Sequence, residues 1–165
     1  MFGDLKLYFT DRPRYEQHKR YLKCQRYARK RLKKLAKEFC PWSGYYMHEM
    51  IKTMLEFYYT VYDAKDWCWS VDDRLEGIAT SLKQALDYSD KLDAIDDMEC
   101  SDLLVIAEEF DDFSDFCTKI ASDMGTTFEK LSEDIRGYLA FEFLEKKYTS
   151  LMYNTIGENI WRWSD

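Results

Sequence analysis

The sequence predicts an all-α protein, a single-domain bundle of five or six helices. Three observations carry that expectation. The 165 residues include only 6 Gly and 2 Pro, too few turn formers for a many-stranded fold. Apolar residues recur at spacings of three and four over long stretches. A hydrophobic share of 46%, with 17% aromatic, supplies enough apolar material for a core and excludes a chain disordered throughout.

The first helix is expected over residues 12–39. Asp11 is its cap, Pro13 suits the first turn, and Glu16 suits the positive end of the helix dipole. Tyr21, Cys24, Ala28, Leu32, Leu35 and Phe39 form a narrow apolar stripe, and most other positions are Lys or Arg. Cys40-Pro41 ends the helix, because proline disfavours helical geometry in its predecessor.

A second helix is expected from Ser43-Gly44 to about Tyr62, with Ser43 as cap. Tyr45, Tyr46, Met47, Met50, Ile51, Met54, Leu55, Phe57, Tyr58, Val61 and Tyr62 cover most of its circumference, which predicts a central position. Asp63 to Trp69 reads as a loop. Ser70-Val71-Asp72-Asp73 resembles a capping box, and a third helix follows to about Met98 on Leu75, Ile78, Leu82, Leu86 and Ile95. The fourth helix is expected on Leu103, Ile106, Phe110, Phe113, Cys117 and Ile120, a coiled-coil-like seam that stops near Gly125. Thr126 and Glu129 form another capping box. The fifth helix runs over 127–150 on Phe128, Leu131, Ile135, Leu139 and Phe143, with Gly137 a weak point. Thr155-Ile156-Gly157-Glu158 begins a short last helix that ends at Trp161-Arg162-Trp163.

The net charge of -7 hides a split. Residues 1–40 hold 13 Lys/Arg against 4 Asp/Glu, net +9, and residues 41–165 hold 11 against 27, net -16. This divides the chain into a basic N-terminal helix, 1–40, and an acidic bundle, 41–165, with the helix packed on it. Such asymmetry concerns partners, because a fold does not require it. The five cysteines are odd in number and contain no Cys-x-x-Cys pair, which argues against a disulfide framework. The start of the chain lacks a basic-then-apolar leader, and the purest apolar run, Leu103 to Ala107, is too short for a bilayer. A reducing cytoplasm and no membrane partner are the expectation.

No catalytic residue, cofactor or metal is assigned. A Gly-rich phosphate loop, a nucleophile elbow and a dinucleotide fingerprint are all missing. The two histidines, His18 and His48, follow Tyr15 and Tyr45 where a di-iron bundle would need Glu, and no close ligand pair suits zinc. His48 reads as a core or interface residue. Asp93/Asp96 with Glu108/Asp111 are the pairs on which a Mg²⁺-dependent all-α nucleotide pyrophosphohydrolase would rest.

Two surfaces carry binding chemistry. Asp93, Asp96, Glu108, Glu109, Asp111, Asp112 and Asp115 form an acidic face able to imitate nucleic-acid phosphates and occupy a basic channel on a partner protein. Trp67, Trp69, Trp161 and Trp163 are candidate aromatic anchors for such a contact. On the first helix, Arg20, Arg26, Arg29, Lys30, Lys33 and Lys34, with Arg14, Lys23, Arg31 and Lys37 around them, can meet phosphates. That helix can instead dock on the acidic bundle of its own chain or of a second copy, as in a homodimer.

Cys40-Pro41-Trp42-Ser43-Gly44-Tyr45-Tyr46-Met47-His48-Glu49-Met50, then Leu55-Glu56-Phe57-Tyr58 and Leu82-Lys83-Gln84-Ala85-Leu86, resemble small phage-encoded all-helical proteins with a Pro-Trp helix start, over about residues 38–95. The resemblance implies a phage protein made in an infected bacterial cytoplasm. It brings no activity and no functional residues. Together with the acidic face it leads to the expectation of a non-enzymatic inhibitor of a host nucleic-acid-handling defence factor, for example a CRISPR effector. A nucleic-acid-binding module using the basic helix is the alternative.

Overall fold

Asp11 starts the first helix through both of its acceptors. Its carboxylate takes the backbone N–H of Arg14 at 3.2 Å, and its carbonyl takes that of Tyr15 at 3.0 Å. This begins α1 (Arg12–Glu38) in the computed structural model, which describes residues 11–38, 40, 44–62 and 73–163, with side chains from residue 77 onward in the last stretch. The elements that follow are α2 (Gly44–Tyr62), α3 (Asp73–Ile95), α4 (Cys100–Glu108), α5 (Phe113–Asp123), a 3₁₀ turn (Phe128–Lys130) and α6 (Glu133–Trp163). Every element among the described residues is helical, and the fold is an all-α bundle. The expected roles of Phe39, Pro41, Ser43, the 63–69 loop, the 70–73 capping box and Leu75 lie outside the described residues.

The chain divides into two compact units, residues 1–86 with 155–165, and residues 87–154. Both boundaries fall within helices, so α3 and α6 contribute residues to each unit. The composition break near residue 40 lies inside the first unit.

In the first unit α1 packs along α2. Ala28 and Leu35 are the buried positions of α1, and the Tyr21 ring meets Phe57 with centroids 5.9 Å apart. Small Ala28 admits close approach, and Leu35 fills the seam two turns further on. The core beyond α2 consists of Leu55, Leu82, Ala85 and Trp163, flanked by Ile51, Tyr58, Tyr59, Ile78, Leu86 and Ile156. Trp163 is held at both ends. Its indole N–H donates to Ser81 Oγ at 3.0 Å, and its carbonyl accepts the Tyr62 hydroxyl at 2.8 Å. A buried indole needs such an acceptor, since an unmet donor costs about 1–3 kcal/mol. The expectation that α2 is central needs correction. Only Thr53 and Leu55 are buried on it, and Tyr45, Met47 and Met54 remain exposed, because α1 and the Leu55 core occupy only part of its circumference.

Among the described residues the second unit has the larger core: Ile95, Leu103, Ala107, Phe113, Cys117, Ala140, Phe143, Leu144 and Tyr148. Ala121, Leu131 and Leu139 make a satellite cluster. The predicted fourth helix is two helices. Its seam residues do face inward, but the backbone leaves α-geometry at Glu109–Asp112, through bonds from Phe110 N to Ala107 O at 3.1 Å and Phe113 N to Phe110 O at 3.0 Å. Glu108, Glu109, Asp111 and Asp112 crowd like charges three and four residues apart, beside the negative end of α4, which disfavours continuation. Aromatic packing then fixes the turn: Phe110 lies 5.9 Å from Phe143 and 6.0 Å from Tyr148, centroid to centroid.

The stop at Gly125 is as expected. Gly125 takes φ +70°, its N–H reaches Ser122 O at 2.9 Å, and Thr126 N reaches Ala121 O at 2.9 Å, a Schellman motif. The next start is not as expected. Residues 128–130 form the 3₁₀ turn, and the helix proper begins after Ser132, whose hydroxyl accepts from Ile135 N at 3.4 Å and whose carbonyl accepts from Arg136 N at 3.0 Å. The helix then continues to Trp163 without the expected break at 151–155. Met152 and Thr155 are buried there, so packing outweighs the capping signal of Thr155 and the cost of Gly157.

Candidate nucleic-acid interface

Helical spacing sorts the side chains of α1 before any partner is considered. At about 100° per residue, Cys24, Ala28, Arg31 and Leu35 fall on one side, and Arg26, Arg29, Lys30, Lys33, Lys34 and Lys37 fall on the other. The first set faces α2. The second set is exposed throughout and together lines one open depression. Its basic groups have no described carboxylate within ion-pair distance. Arg20 is exposed too, but stands about a third of a turn round from Arg26, outside that depression.

Arg31 departs from the basic set. Its two terminal nitrogens reach different carboxylates of α2, Glu49 Oε2 at 2.7 Å and Glu56 Oε2 at 2.8 Å. The hydrogen bond that Arg31 donates to Glu49 is the main reason its pKa is raised above the ordinary arginine value, and partial desolvation works against it. The guanidinium thus fixes α1 on α2 and leaves the opposite face to solvent. The signal was present in the sequence: Arg31 occupies a place in the 24–28–31–35 apolar spacing, where a charge needs partners.

Asp93, Asp96, Glu108, Glu109, Asp111, Asp112 and Asp115 are all exposed. Asp112 is tied down by Lys147, Nζ to Oδ2 2.6 Å, and this bond holds its carboxyl below the usual carboxylate range. The Lys147 ammonium also lies 5.4 Å from the Phe110 ring centroid and 5.9 Å from that of Phe143. Asp112 is therefore part of the clamp on the 109–112 turn. Among the described residues no group of three or more His, Cys, Asp or Glu is placed to hold a metal ion, so Asp93/Asp96 and Glu108/Asp111 are not brought together as a metal centre.

The aromatic anchors separate. Trp161 is 80% exposed, whereas Trp163 is 5% exposed and belongs to the core, because its indole and carbonyl are both engaged inside. Trp67 and Trp69 lie outside the described residues. His48 is half-buried on α2. Of the cysteines, Cys117 is buried and Cys40 exposed, with Cys24 and Cys100 between; Cys68 lies outside the described residues. Burial pushes the Cys117 thiol up to about 11, so it stays a neutral core group.

The charge divides between the two units as well, though less sharply than at residue 40. Residues 87–154 carry 18 Asp/Glu against 6 Lys/Arg, net -12, and the remainder carries 13 against 18, net +5. No helix among the described residues is long and apolar enough to cross a membrane. No family model, curated protein or solved structure matches this chain.

Proposed function

We propose that this chain is a non-catalytic binding protein that docks on nucleic acid through the solvent face of α1. One observation carries the reading. Arg26, Arg29, Lys30, Lys33, Lys34 and Lys37 share one exposed face, with no described carboxylate to neutralise them. Six cations held on a rigid helix release condensed counterions when they meet phosphates, which gives sequence-independent affinity. The test is fluorescence anisotropy with labelled nucleic acid at several salt concentrations. With about six phosphate contacts, affinity falls about 10³-fold between 50 and 200 mM salt. Replacing Arg26, Arg29, Lys30 and Lys33 by Ala removes binding while helical ellipticity is kept. Absence of binding at low salt overturns the reading.

A second reading rests on the exposed carboxylates of the acidic unit. In it, the chain is a phage protein acting in the cytoplasm of an infected bacterium. It occupies the basic channel of a host nucleic-acid-handling effector, such as a CRISPR nuclease. The seven exposed carboxylates and the net charge of -12 support it. Charge reversal at Asp111 and Asp115 then abolishes inhibition and leaves the fold intact, and full inhibition by that variant removes this reading.

A further inference from the structure

Resting on the nucleic-acid reading of α1, we propose that its ligand is duplex DNA, held by both phosphate walls of a groove and without dependence on base sequence. The angular layout of the cations is the first reason. Taking Arg26 as zero, Arg29 lies at about -60° and Lys34 at about +80°, with Lys33, Lys37 and Lys30 between them. The set fans over about 140° of the helix surface. On a helix about 10–12 Å across, the edges of that fan stand about 10 Å apart, close to the roughly 12 Å width of the B-DNA major groove. Flexible Lys and Arg heads at the two edges can reach both strands. A single strand offers one row of phosphates and leaves half the fan unused.

The aromatic residues of α1 give the second reason. Single-strand binders stack successive bases on exposed rings. Here Tyr21 is turned inward against Phe57. Tyr15 is half-buried, with Lys19 Nζ 5.5 Å from its ring centroid. Tyr27 is 62% exposed but stands alone at the edge of the fan, so no run of rings accompanies the cations.

The third reason concerns readout. Gln25 donates its amide N–H to the Tyr21 hydroxyl at 3.2 Å, and the fan holds no Asn, Gln, Asp or Glu to read adenine or cytosine edges, which leaves only Arg and Lys, here spread toward the phosphate walls. Phosphate contact positions a protein and carries no sequence information by itself. Double-stranded RNA is the poorer ligand, because its major groove is too deep and narrow for side chains to enter.

The full chain is titrated at one salt concentration against a 30-base-pair DNA duplex, a second duplex of scrambled sequence, each single strand, and the double-stranded RNA of the same sequence. The duplexes are expected to bind within about threefold of one another, and about tenfold or more tighter than single strands or RNA. Tyr27→Ala is expected to leave duplex affinity unchanged. K30E/K33E, at exposed positions, is expected to abolish it. Single strands binding as tightly as the duplexes, RNA binding as tightly as DNA, or a large loss with Tyr27→Ala each overturns the duplex-groove proposal while the broader reading stands. Failure of every nucleic acid to bind overturns the broader reading, and this one with it.

Discussion

Gly137 shows how a single residue sets a helix contact. Within an α-helix, Gly costs about 1 kcal/mol relative to Ala, so on propensity alone it is a defect. Its surroundings reverse that judgement. A β-carbon at 137 would overlap the Cβ and Sγ of Cys100 and lie 3.1 Å from its Cα. The glycine is what allows the start of α4 to lie directly on α6. Gly137→Ala is therefore expected to destabilise by about 1–3 kcal/mol, as overpacking does, and not to stabilise. Urea unfolding measures it. In a Cys100→Gly background the overlapping atoms are gone, and the penalty should shrink. A stabilising Gly137→Ala in the wild-type background would show that the two helices separate at little cost.

At the scale of elements, α1 was legible because its signals are local: a cap at Asp11, an apolar stripe, and basic residues elsewhere. The stop at Gly125 was legible for the same reason. The break at 109–112 was not, because the seam spacing runs unbroken through Phe110 and Phe113; the crowded charges there weaken the helix, but it takes the rings of Phe143 and Tyr148 and the ammonium of Lys147 to fix where the backbone turns. The fusion of the last two segments into α6 has a similar origin, since buried Met152 and Thr155 outweigh a local capping signal. For the candidate site, the cations of the stripe were readable by type and spacing. Arg31 counts by type among the basic residues around that face, although its place in the 24–28–31–35 spacing marks it as the cation spent on the fold. Its removal tests the α1–α2 hairpin. The three side chains are partly exposed, so Arg31→Ala is expected to cost about 1 kcal/mol, less than a fully buried pair. Arg31→Lys should recover only part, because one ammonium cannot present two nitrogens to two carboxylates. A double-mutant cycle with Glu49→Ala isolates the coupling, and a coupling near zero would leave the hairpin to its apolar seam alone.

At the scale of the whole chain, core and charge are unequally shared. Among the described residues the unit formed by 87–154 buries 13 apolar side chains, and the other unit buries 6. The smaller core belongs to the unit with net charge +5, which carries the basic face. Stability is not uniform across a fold, and regions with fewer buried contacts open at lower free energy. The sequence supplies a reporter for this, because all five tryptophans, Trp42, Trp67, Trp69, Trp161 and Trp163, fall outside residues 87–154. Tryptophan fluorescence therefore follows one unit, and far-UV ellipticity follows both. In urea the fluorescence midpoint is expected to fall below the ellipticity midpoint. Coincident transitions would instead mean that α3 and α6, which contribute to both units, bind them into one cooperative block. Ligand sharpens the comparison. A duplex at 100 times its Kd stabilises whatever must be folded to bind it by about 2.7 kcal/mol. If α1 holds the binding face and the units open separately, the duplex should raise the fluorescence midpoint and leave the later part of the ellipticity transition in place. A shift of the later part alone would place the binding surface on the acidic unit, against the charge it carries.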